Sequence, residues 1–269
     1  MMFSLLSYLT RMRILIAEDN EASRELLTEL LVLLGHAVVA VADGREALAA
    51  LKKNTFGVVL MDQQMPRMDG LAAARDIRRR ERGSGKRVAI IGISGNATAE
   101  DEQSCRDAGM DAFLAKPFDR NTLYAAIESL QAGGKVARPD TSVASDSADT
   151  AGQLRRVTGE NSKLQQSLIR TFLADVPKKI ARIKQAIAQL DSEKLASTAH
   201  SLKGALGIFN AKDAVLIVKS LEAMGRARDL SGAPEEFRSL QAALKTLDRE
   251  LQSLQEKPRP NRIKSRQEK

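Results

Sequence analysis

Five short apolar runs, each followed by an amphipathic stretch, limit what residues 13–130 can fold into. The runs are Ile14-Leu15-Ile16-Ala17, Ala37 to Val41, Val58-Val59-Leu60-Met61, Val88 to Ile93 and Ala112-Phe113-Leu114-Ala115. They are continuous rather than alternating, which suits strands covered on both faces. Helical periodicity falls between them, near 21–34, 44–53, 69–82, 98–108 and 119–130. Strands and helices in alternation predict a five-stranded parallel sheet, and parallel strands require crossovers. A doubly wound α/β sheet is the economical topology.

The pattern then stops. Residues 131–152, QAGGKVARPDTSVASDSADTAG, are small, polar, Gly or Pro and have no apolar period, so a flexible linker is expected. Coil scaling gives its 22 residues a span of roughly 26 Å, about one domain diameter. Beyond it the period is helical throughout, with helices expected near 160–176, 177–190, 193–209, 211–228 and 234–255. Pro177 is placed in the first turn of the second of these, where proline is tolerated. Short polar turns favour an all-α helical bundle over 153–256. Residues 257–269, KPRPNRIKSRQEK, have no apolar face and read as a disordered basic tail. Residues 1–12 read as a leader or linker remnant; they lack a signal peptide's basic start and cleavage site.

The 269 residues suit two modest domains. One Cys excludes a disulfide scaffold or a Cys-based zinc site and fits a reducing cytoplasm. No stretch is apolar for the ~20 residues a membrane crossing needs. Cys105 has no neighbour that would activate a thiol, and the run Arg78-Arg79-Arg80-Glu81-Arg82 reads as a solvated helix end.

In a doubly wound sheet, ligands sit beyond the carboxyl ends of the strands. Those ends carry Glu18-Asp19, Asp62, Ser94 and Lys116-Pro117. Three crowded carboxylates repel unless a hard cation sits among them, so the cluster asks for magnesium. A lysine and a hydroxyl beside them can hold phosphoryl oxygens, and one carboxylate can act as a nucleophile. Each acid taken alone could merely cap a helix; it is the joint pattern that points to chemistry.

The segments ILIAEDN, VVLMDQQMPRMDG, IIGISGNA and DAFLAKPF resemble the receiver domain of two-component signalling, covering about 13–130. The resemblance implies a flavodoxin-like fold with Asp62 as phosphoacceptor. It also implies that Glu18, Asp19, Asp62 and the backbone carbonyl of Gln64 hold magnesium. Ser94 and Lys116 would contact the phosphoryl group, and Phe113 would be the aromatic switch. Ser94 stands where the family often has Thr, and both offer a hydroxyl.

There are two histidines. His36 follows Gly35 between a helix and a strand and reads as a turn residue. His200 lies in STAHSLKGALGIF, at the edge of a stripe of Leu195, Ala199, Leu202 and Leu206. Its own face carries Lys203, Gly204 and Gly207. A helical glycine costs about 1 kcal/mol against alanine. The pair therefore reads either as clearance for an approaching surface or as close helix packing.

AHSLKGALGIFNA followed by SLEAMGR resembles the histidine phosphotransfer (HPt) domain. That resemblance implies that His200 carries a phosphoryl group, with Lys203 assisting and Gly204 giving clearance. No glycine-rich ATP-lid box is visible, so no ATP-binding kinase domain is expected within these residues. The implied function is a phosphorelay, a phosphotransfer rather than kinase activity. Its expected partners are a histidine kinase and a downstream response regulator. An alternative is a binding module switched by phosphorylation without obligatory transfer.

The net charge of +8 would by itself favour nucleic acid. Residues 1–130 carry 17 basic and 18 acidic groups, whereas 153–269 carry 23 and 13, with six of those bases in the last 13 residues. With seven Phe, two Tyr and no Trp there is little to stack on bases, so a mildly basic bundle meeting an acidic pocket is the better fit.

Overall fold

The computed structural model describes residues 11–95, 98–116, 118–131 and 149–255. The expected leader up to residue 10, the linker from 132 to 148, Pro117 and the basic tail lie outside the described residues.

The first half alternates strand and helix: β1 (Arg13–Ala17), α1 (Glu21–Leu33), β2 (Ala37–Val41), α2 (Gly44–Lys53), β3 (Val58–Asp62), α3 (Gly70–Glu81), β4 (Ala89–Ser94), α4 (Ala99–Asp107), β5 (Ala112–Ala115) and α5 (Arg120–Gln131). All pairings are parallel, in the order β2-β1-β3-β4-β5. Ile14 and Ile16 pack with α1 and α5, while Leu15 and Ala17 pack with α2 and α3 on the other side. Both faces of β1 are covered, which is why its sequence is apolar without alternation. β3 is buried from end to end. β2 departs from the pattern: its apolar run forms the sheet edge and is partly exposed.

Helix starts are set by side-chain caps. Asn20, Asp43, Asp69 and Thr98 each accept the backbone N–H three residues on. His36 does lie in the α1–β2 connection, where its N–H donates to the Leu31 carbonyl, but its ring is buried. Arg78 corrects the expectation of a wholly solvated helix end. Its guanidinium is largely buried and donates to the Gly109 and Val88 carbonyls and to Asp111 and Glu81. It ties α3 to the start of β4 and to the turn before β5.

The second half is helical: α6 (Thr150–Thr158), α7 (Ser162–Ala188), α8 (Ser192–Ile208), α9 (Lys212–Ala227) and α10 (Ala233–Gln255). Two boundaries differ from expectation. No helix was expected before residue 160, yet α6 lies there and begins inside the segment expected to be linker, because Asp149 caps it and Leu154 and Val157 pack into the core. Pro177 does not separate two helices; it lies inside the 27-residue α7. Leu164, Leu168, Phe172, Lys179, Ile183 and Ala186 continue one buried face across it, and this packing outweighs the backbone bond that proline removes.

The two halves share a core. Leu26, Leu27 and Leu30 of α1 belong to the same buried cluster as Leu168, Phe172 and Leu202 of the bundle.

Candidate functional site

The carboxyl ends of β1, β3, β4 and β5 bring Glu18, Asp19, Asp62, Ser94 and Lys116 to one edge of the sheet. One oxygen from each of Glu18, Asp19 and Asp62 lies within 4.8 Å of the others. The Lys116 ammonium bridges two of them, donating at 2.6 Å to Glu18 Oε2 and at 2.6 Å to Asp62 Oδ2. Lys116 is held by its own N–H on the Ser94 carbonyl, 2.7 Å away. Asp62 Oδ1 also accepts the Gln64 N–H at 3.1 Å, and Glu18 Oε1 accepts the Asn20 N–H at 3.2 Å.

Glu18, Asp62 and Ser94 are buried. Burial, and then the Asp62 charge, pushes the Glu18 carboxyl well above the usual carboxylate range despite Lys116. Asp19 is raised for the same two reasons. Burial opposes ionisation of Asp62 as well, but Lys116, His200 and the Gln64 N–H outweigh it, so its pKa falls below the ordinary value. A dense set of hard oxygen donors, two of them disfavoured as bare anions, fits a divalent cation of the magnesium kind.

Gly70 shapes this edge. A Cβ there would stand 2.0 Å from the Asp62 carbonyl oxygen, so α3 starts against the backbone that carries Asp62. Gly70→Ala is therefore expected to destabilise the protein by about 1–3 kcal/mol or more, by forcing that backbone to move. Urea titration reads the loss, and a variant as stable as the parent would contradict this account. Phe113 is half-buried against the core on the α2–α3 side. Cys105 is buried, which pushes its thiol up to about 12 and leaves it inert.

The bundle brings His200 to the same place. The stripe of Leu195, Ala199, Leu202 and Leu206 is fully buried, which turns His200 to the edge of α8 with 11% of its side chain exposed. His200, Ser201 and Arg226 line one cleft with Asp19 and Gln64. Asn20 Nδ2 donates to the Ser201 carbonyl at 2.9 Å, and Arg226 donates to Gln64 Oε1 at 2.7 Å. A Cβ at Gly204 would meet Ser23 Oγ of α1 at 3.8 Å, whereas one at Gly207 would meet nothing within 4 Å.

Lys203 is buried, and its ammonium donates to Glu222 Oε2 at 2.7 Å. Glu222, on α9, was not singled out from sequence. Its other oxygen lies 2.9 Å from His200 Nδ1 and also accepts from Arg226. Burial would raise the Glu222 pKa, but the hydrogen bond and charge of His200, and then Lys203, hold it down to about 2. As a carboxylate it can only accept, so Nδ1 carries the proton, and whenever the ring is neutral its lone pair lies on Nε2.

A doubly wound domain with a carboxylate cluster at its sheet edge, joined to a bundle that presents a histidine to it, defines a two-component signalling protein. Residues 14–128 match the response regulator receiver domain and residues 167–256 match the Hpt domain, so the chain belongs to both families as a receiver–Hpt fusion. It is 30% identical over 255 residues to the virulence sensor protein BvgS of Bordetella pertussis, matching 87% of this chain and 20% of that protein. It is 28% identical over 204 residues to the sensory/regulatory protein RpfC of Xanthomonas campestris, matching 72% of this chain and 28% of that one. The chain thus spans less than a third of the length of these relatives. Among solved structures, the receiver domain of sensor histidine kinase PA1611 from Pseudomonas aeruginosa, described with magnesium in its active site cleft, is 37% identical. It covers 44% of this chain and 96% of its own, with a TM-score of 0.41. Among the described residues no helix is long and apolar enough to cross a membrane.

Proposed function

We propose that the chain relays a phosphoryl group between Asp62 and His200. The observation that supports it is that His200, held at Nδ1 by Glu222, lines one cleft with Asp19 of the carboxylate cluster and with Gln64.

Glu18, Asp19, Asp62 and the Gln64 carbonyl would hold magnesium, which when bound neutralises charge on the phosphoryl oxygens. An Asp62 oxygen attacks the donor phosphorus and the donor's leaving group departs, giving an aspartyl phosphate. Lys116 and the Ser94 hydroxyl hold phosphoryl oxygens. His200 Nε2 then attacks phosphorus as the bond to Asp62 breaks, and the carboxylate returns to Lys116. The Nδ1 proton stays on the ring against Glu222, which stabilises the charge developing on the imidazole. Phe113 serves as the switch that senses the state of Ser94. A histidine kinase upstream and a receiver of a response regulator downstream are the partners this chemistry requires.

A pulse of radiolabelled phosphodonor with magnesium tests the relay. Acid-labile label is expected on His200, and it disappears in Asp62→Asn and in magnesium-free buffer. Label that reaches Asp62 and never His200, even with a competent downstream receiver present, would instead establish a binding module switched by Asp62 alone.

A further inference from the structure

The face of the bundle that carries His200 is already covered by the chain's own receiver, and one carboxylate closes the cover. Glu25 on α1 is half-buried against α7, where Oε1 accepts the Ser167 hydroxyl and Oε2 accepts the Thr171 hydroxyl at 2.5 Å. Ser167 and Thr171 are one helical turn apart and so present paired donors to a single acceptor. At the N-cap of α1, five residues before Glu25, Asn20 reaches the carbonyl of Ser201, next to His200. On the far side Lys203 packs against Gly95, where an added Cβ would lie 3.1 Å from Lys203 Cε. The apolar residues between these points, Leu26 and Leu27 among them, are buried.

Any second receiver that takes a phosphoryl group from His200 must bring its own aspartate to the same Nε2. Two carboxylate pockets cannot occupy one imidazole. We infer, resting on the transfer proposed above, that the receiver docked through Glu25 is a cover that reserves His200 for Asp62 of the same chain, and that forward transfer requires this clasp to open. The hydroxyl pair then also selects the partner: an incoming receiver must offer a hydrogen-bond acceptor on the surface it lays against α7.

The test uses full-length protein in two measurements. The first is carbethoxylation of His200 by diethyl pyrocarbonate, followed by peptide mass spectrometry, which reads the cover without any phosphotransfer. Glu25→Ala and the double variant Ser167→Ala/Thr171→Val are each expected to raise the rate about tenfold, the loss of two charge-assisted hydrogen bonds being large enough for that. Rates unchanged in both variants overturn the cover.

The second mixes two full-length chains. The donor is His200→Gln, loaded at Asp62 with phosphoramidate and magnesium; the acceptor is Asp62→Asn. Glu25→Ala in the acceptor is expected to speed transfer to its His200 severalfold, because its own receiver no longer competes. Removing the acceptor's two hydroxyls is expected not to speed it, because the donor's Glu25 then has nothing to hold. An equal rise in both variants overturns the selection role, and a fall with the Glu25→Ala acceptor overturns the competition by its own receiver. Raised carbethoxylation with no phosphoryl group on His200 in any mixture upholds the cover and removes the relay.

Discussion

Glu222→Leu is expected to cost about 3–5 kcal/mol of stability and to abolish labelling of His200, since it leaves a buried cation uncompensated. The carboxylate is 6% exposed and serves three groups: His200 Nδ1, the buried Lys203 ammonium and Arg226. Leucine matches the volume but strands Lys203, whose side chain is 5% exposed, without its counter-charge. The acid limb of the stability curve gives a second, independent signature. The folded pKa of about 2 lies below the ordinary 4.5, so the contribution is complete above pH 4.5 and is lost as pH falls towards 2. Over that window the linkage is on the order of 3 kcal/mol. Urea titrations at pH 7, 4 and 2.5 should show the parent weakening steeply and the variant weakening less. Equal acid slopes in the two proteins would sink the assignment. Glu222→Gln keeps an acceptor for Nδ1 but loses the charge, and should fall between the two in stability.

Glu222 also shows how a signal can be present in a sequence and still pass unread. It stands four residues after Val218 and next to Leu221, on the stripe of α9 that also buries Ala214. An acid on an apolar stripe demands a partner, and among basic residues His200 and Lys203 lay on a neighbouring helix. The partner's identity, however, depends on how α8 and α9 pack, and no local spacing encodes that.

The sheet was legible because burial on both faces writes itself into unbroken apolar runs, and the acid cluster because strand ends converge in that topology. β2 was equally apolar yet lies at the edge, since a run of Ala and Val does not record its rank in the sheet. Pro177 read as a helix boundary from backbone chemistry alone, but the apolar face of α7 runs through it. Arg78 looked like its solvated neighbours because its acceptors are contributed by segments up to 33 residues away. The docking of the two halves was least legible. Glu25, Ser167 and Thr171 are ordinary polar residues on their own helices, and they acquire meaning only when α1 meets α7.

Lys116→Met should show the largest effect that depends on divalent cation. The ammonium stands at 2.6 Å from both Glu18 and Asp62, whose side chains are 1% and 2% exposed. Burial would lower its pKa, but the two carboxylates more than reverse this and hold it in its charged form. Methionine fills much of the same space without charge and leaves two buried carboxyls facing each other. Removing one partner of such a cluster costs about 3–5 kcal/mol, and the carboxyls are expected to take up a proton on folding to limit the loss. A cation bound by Glu18, Asp19 and Asp62 would supply positive charge at the same point. The penalty measured in EDTA should therefore shrink in millimolar magnesium, whereas the penalty of Gly70→Ala, which is steric, should not. Thermal melts of both variants with and without magnesium distinguish these costs. If magnesium leaves the Lys116→Met penalty unchanged while it still stabilises the parent, the ammonium's contribution is not electrostatic and the role proposed for it beside a phosphoryl group must be reconsidered.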